Sequence, residues 1–186
     1  MSLVDLIAQA DERGLAASGL ACLDRCLPLL GADDDLLRPL WASLADGSDW
    51  GPGLDRARGT LGAEERAADE AARLTRRMLD AVPARRTADA VRPWADACSV
   101  ASLRVHRLLD PAADGTPADA GLDTGRVGDT ADLPPLVAAE LRRQRAVLEL
   151  LAEHGPQGLR HALDVSVEGR RVLRAVVSRR ARSGAE

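Results

Sequence analysis

Apolar residues recur three and four positions apart along most of this chain, and no stretch sustains the period-two alternation of a half-buried strand. The clearest stripe runs from Val91 to Leu109, where Val91, Trp94, Cys98, Ala101, Val105 and Leu108 fall on one face of a helix. Upstream, residues 62–82 predict a longer helix, with Ala67, Ala71, Leu74, Met78 and Val82 inward. Glu64 and Glu65 open it and Arg76 and Arg77 lie near its end, the order the helix dipole favours. Pro83 stops it, so 62–82 and 86–110 form a tightly joined antiparallel helical hairpin, the expected centre of the fold.

The first third reads as three short helices that make a subdomain over 1–46. Ser2 caps the first, which carries Leu3, Leu6, Ile7 and Ala10 and stops at Gly14. Ser18 caps the second, with Leu20, Leu23 and Leu27 inward and Pro28 and Gly31 after it. Asp33 caps the third, which carries Leu36, Leu37, Leu40, Trp41 and Leu44; Pro39 either kinks it or moves its start to Arg38. Gly47 to Gly53 is a turn-rich break pinned by Trp50. Residues 111–135 read as a long acidic loop. Residues 136–153 form a helix with Val137, Leu141, Leu148 and Leu151 on one side and Val147 and Leu150 beside them, a face broad enough for more than one neighbour. The last helix, 157–182, carries Leu159, Leu163, Val172, Leu173, Val176 and Val177, with Gly169 as its weak point. The class that follows is all-α, a single-domain bundle of about six to seven helices, its main body spanning 62–182.

Composition sharpens this picture. Hydrophobic residues are 46% of the chain but aromatics only 2%, so the core is built from Leu, Ala and Val, with Trp41 and Trp94 as its few large anchors. All 25 Lys-plus-Arg residues are Arg, and Asn is absent, as a GC-rich coding sequence would give. Net charge is −4, so the chain as a whole carries no nucleic-acid footprint. No apolar run reaches the ~18 residues of a membrane span, and the first residues lack a secretory pattern. With only three cysteines, a reduced, cytoplasmic protein is expected.

No catalytic, cofactor-binding or metal-ligating set emerges. Cys22 and Cys26 lie four apart with only Cys98 to join them and no histidine at matching spacing, so they read as buried small hydrophobes. His106 reads as a helix C-terminal residue favoured by the dipole, and His154 and His161 straddle the Gly155-Pro156 break, off any shared face. Asp33, Asp34 and Asp35 read as capping acids, and the aspartates of 111–135 do not match a calcium loop.

Charge is distributed unevenly. Residues 1–60 hold five Arg against ten acids, 111–135 one against five, and 156–186 seven against three. Arg170, Arg171, Arg174, Arg179 and Arg180 therefore stand as candidate contacts for a partner or anion, and Trp50 joins them if its Gly-rich loop is exposed. The leading expectation is a non-catalytic protein–protein interaction or regulatory domain that self-associates. A nucleic-acid-binding regulator using the basic C-terminal helix is the alternative, and a small-ligand-binding helical enzyme a third reading.

Overall fold

The computed structural model describes residues 1–61, 69–113 and 115–183. The fold is all-α, with no strand among these residues: α1 (Leu3–Gln9), α2 (Glu12–Cys26), α3 (Arg38–Asp46), α4 (Gly51–Leu61), α5 (Glu70–Asp80), α6 (Ala88–Leu109), α7 (Leu122–Val127), α8 (Pro135–His154) and α9 (Gly158–Ser183). Short 3-10 turns follow α2 and join α8 to α9. Of the expected 62–82 helix, Glu64, Glu65 and Ala67 lie outside the described residues, as does Asp114 of the loop.

Residues 91–109 form the helix their spacing predicts: within α6, Val91, Trp94, Cys98 and Val105 are all buried. The hairpin of α5 and α6 also forms, but the most extensive packing of α6 is against α2. That central role follows from composition. Every residue of α2 from Gly14 to Cys26 is buried, and Ala16, Ala17, Gly19 and Ala21 leave room for α6, α8 and α9 to close on it. A helix buried all round is the one a bundle encloses, and its charged Asp24 and Arg25 are paired inside. Residues of 1–46 accordingly share one continuous core with those of α5, α6, α8 and α9.

The predicted boundaries shift in four places. Gly14 does not stop the first helix, and Ser18 caps nothing. Asp11 accepts from Gly14 N at 2.7 Å, so α2 begins at Glu12 and runs through both residues. Asp33 caps a turn, accepting from Asp35 N at 2.8 Å, and α3 starts at Arg38, Pro39 setting its first turn. The Gly47–Gly53 break is a turn only to Trp50; Gly51, Pro52 and Gly53 already belong to α4. The 111–135 segment contains α7, held by Leu122 in the core, by Arg107 donating to Ala120 O at 2.6 Å, and by an Arg126–Asp96 ion pair.

Arginine supplies much of the stitching between helices. Arg92 donates to Ile7 O, Ala8 O and Ala10 O at the end of α1, and Arg58 to Leu79 O, Asp80 O and Val82 O at the end of α5. Arg13 and Arg86 reach Leu44 O and Ser43 O in α3, and Arg180 reaches Leu108 O in α6. Each guanidinium adds a donor at helix-end carbonyls, some of which, such as Ile7 O and Ala8 O, the helix leaves without backbone partners, and places positive charge at the negative pole.

The helix α2 approaches α6 through Gly19, where an added Cβ would stand 2.4 Å from the Trp94 ring. Gly19→Ala is therefore expected to cost about 1–3 kcal/mol in chemical denaturation. Gly59→Ala on α4, with nothing within 4 Å of the new Cβ, is expected to be neutral or to stabilise by up to ~1 kcal/mol.

Candidate functional site

Polar side chains from three helices meet inside the bundle around Glu140 of α8. Arg25 of α2 clasps the carboxylate with both arms, Nε to Oε2 at 2.8 Å and Nη2 to Oε1 at 2.7 Å, and neither side chain has any exposure (0%/0%). Ser102 of α6 donates to Oε1 at 2.8 Å and Gln144, one turn along α8, at 2.9 Å. Ser99 donates to Gln144 Oε1 at 2.6 Å, and His106 Nε2 lies 3.6 Å from Glu140 Oε2 while its Nδ1 faces Ser102 O at 2.7 Å. The fourth wall is α9. Gly169 lies against Arg25, whose Cδ would be 2.3 Å from an added Cβ.

Burial alone would raise the Glu140 pKa; the Arg25 guanidinium, aided by His106 and by hydrogen bonds from Arg25 and Gln144, reverses this and brings it from 4.5 down to about 2. Burial lowers the pKa of His106 below its ordinary 6.5, with Glu140 opposing. His106 does lie in the last turn of α6, as expected, but it is 2% exposed and belongs to the buried network, where burial disfavours the charge through which the helix dipole would act. The three cysteines are free and buried, and burial pushes the Cys22 thiol up to about 12, so it stays protonated at neutral pH. None of these groups reaches solvent, so the network holds the helices rather than offering a reacting surface. Its sequence trace is faint but real. Gln144 fills the heptad gap between Leu141 and Leu148, and Ser99, Ser102 and His106 recur at helical spacing on α6.

The candidate contact residues separate. Trp50 is 1% exposed, donates to Pro83 O at 3.1 Å, and stands edge-on to Trp94 with ring centroids 5.9 Å apart, so it presents no surface. Arg170 is buried against Asp24, which also accepts from Trp41 Nε1 at 2.8 Å, and donates to Asp34 O at 2.9 Å. Arg174 pairs with the Asp34 carboxylate, and Arg180 donates to Leu108 O at 2.7 Å. Arg171 and Arg179 are exposed, and neither guanidinium has a hydrogen-bond or ion-pair partner among the described residues. His154 and His161, expected on separate faces, are brought to 6.5 Å between ring centroids by the turn at Gly155.

An open groove of about 840 Å³ lies where the C-terminal ends of α6 and α9 meet the start of α8. Leu108, Leu136 and Val176 line it, with Arg179 and Arg180 along one side. Its carboxylate, Asp110, is engaged, accepting from Leu136 N at 2.7 Å and Ala112 N at 2.8 Å. Among the described residues no group of three or more His, Cys, Asp or Glu side chains is placed to hold a metal ion, and no helix is long and apolar enough to cross a membrane. Comparison with family models, curated proteins and solved structures finds no match to the chain.

The buried pair generates two predictions. Glu140→Leu leaves the Arg25 charge without its counter-ion and is expected to cost about 3–5 kcal/mol, with Arg25→Met/Glu140→Leu regaining much of the loss in the same denaturant titration. Both Glu140 and His106 have lowered native pKa values, so the unfolded chain binds more protons than the native one on the acid side. Stability is expected to fall as pH drops below the unfolded histidine value of 6.5, and again from 4.5 toward 2. His106→Asn should flatten the upper limb and leave the lower one.

Proposed function

We propose that this chain is a non-catalytic interaction protein and that its binding surface is the groove at the end of α9, which accepts an acidic, amphipathic segment of a protein partner. The observation that carries this reading is the pairing of the partnerless Arg179 guanidinium with an apolar lining of Leu108, Leu136 and Val176. Acidic groups meet arginine along such a lining while apolar side chains fill it. The titratable core around Glu140 has no route to that surface, which argues against a catalytic role for it. Two of the basic residues of α9, Arg170 and Arg174, are occupied by Asp24 and Asp34, which leaves too sparse a row to track a phosphate backbone.

A fluorescein-labelled acidic amphipathic peptide is the direct probe, read by anisotropy. Binding is expected to weaken about tenfold in Arg179→Glu, and to weaken with added salt, while the melting temperature stays unchanged. Peptide binding unaffected by Arg179→Glu, or tighter binding to a DNA duplex than to the peptide, would overturn the reading in favour of another surface or of nucleic acid.

A further inference from the structure

Among the described residues, the large hydrophobic side chains left exposed are Met1, Val4 and Val127, at 67%, 39% and 63%. All three belong to α1 or α7 or directly precede α1, and these two helices pack against each other. Acid surrounds them. Asp5, Asp123 and Asp129 are exposed, and the nearby bases are engaged within the chain: Arg126 is buried against Asp96, Arg92 is held by the carbonyls at the end of α1, and Arg107 by Ala120 O. This acidic, apolar-tipped knob has the chemistry that the groove calls for. The α7 half of the knob is carried by the segment whose two ends, Leu108–Ala112 and Pro135–Leu136, line one side of the groove, while α9 lines the other.

We infer that a second copy of this chain is the occupant of the groove, the α1–α7 knob of each copy entering the groove of the other. The inference rests on the groove reading above and adds the identity of the partner. Charge complementarity carries it. The exposed Asp5, Asp123 and Asp129 surround the apolar tips of the knob and Arg179 and Arg180 flank the groove, so knob meets groove with opposite sign while knob meets knob with like sign. The knob is mounted firmly, with Leu122 in the core, Arg107 on Ala120 O, and Gly125 against Leu133, so docking it costs little ordering entropy. Exchange of knob and groove about a two-fold axis closes the assembly and makes the same contact twice.

Sedimentation equilibrium of the full chain over a wide concentration range tests this. A dimer is expected that dissociates on dilution and in high salt. Val127→Glu and Arg179→Glu change exposed side chains, so their melting curves should match that of the unsubstituted chain. Each variant alone is expected to shift the dissociation constant at least tenfold toward monomer. An equimolar mixture of the two is expected to recover a dimer, because one intact knob then faces one intact groove. A strict monomer at every concentration, a dimer insensitive to either variant, or a mixture that recovers nothing overturns the inference. Retained binding of the acidic peptide by a monomeric protein would separate that failure from failure of the groove itself.

Discussion

Two full charges, Arg25 and Glu140, sit where no water reaches, and the arrangement of the bundle depends on their meeting. A lone buried carboxylate or guanidinium costs several kcal/mol after relaxation, so each is tolerable only with the other in bidentate contact. The constraint is positional. A slip of one residue along α8 turns Glu140 about 100° away from α2 and strands both charges at once. Ser102 and Gln144 saturate the remaining acceptor positions on Oε1, which ties α6 to the same point. Gly169 completes the set, because only a residue without a side chain lets α9 lie over the Arg25 stem. The rest of the core, Leu against Ala, is slippery by comparison and specifies density more than register.

Arginine explains why a core so poor in aromatics still closes into defined helix ends. Arg58 and Arg92 each gather three carbonyls at a helix terminus, Arg92 with both terminal nitrogens of its planar guanidinium, a task for which an ammonium is less suited. The same habit absorbs most of what looks, in one dimension, like a basic recognition helix. Arg170 and Arg174 bind the acids of the 1–46 segment, Arg180 closes the end of α6, and the surplus charge narrows to Arg171, Arg179 and Arg182 on the outer face. The broad apolar face of α8 likewise finds its neighbours within the chain, against α1, α2, α6 and α9. Only its start remains open, where Leu136 lines the groove.

The long helices were legible because their periodicity survives any tertiary arrangement: α6 and α8, and α9 despite Gly169, stand where the stripes of Leu, Val and Ala put them. Two of the misreadings share one cause. Glycine was taken as punctuation at Gly14 and at Gly51–Gly53, yet the first opens α2 beside its Asp11 cap and the others begin α4. Local propensity says that Gly weakens a helix; it does not say that a neighbour has been brought close enough to require it, as Trp94 does at Gly19. The buried network was harder still to see. Arg25 and Glu140 lie 115 positions apart, and each by itself resembles a solvated surface charge. What the one-dimensional pattern held was a gap at Gln144 in an otherwise apolar row, and Glu140 one turn before it.

The tryptophans have a practical consequence. The chain contains no tyrosine and three indoles, each with its N–H held by a protein acceptor and each nearly shut off from solvent. Emission under ultraviolet excitation thus arises from three sites alone: Trp41 beside the Asp24–Arg170 pair, and Trp50 and Trp94 crossed edge to face at the junction of α2, α5 and α6. Any loosening of the interior admits water to these rings, and a red shift of their light reports it without added dye.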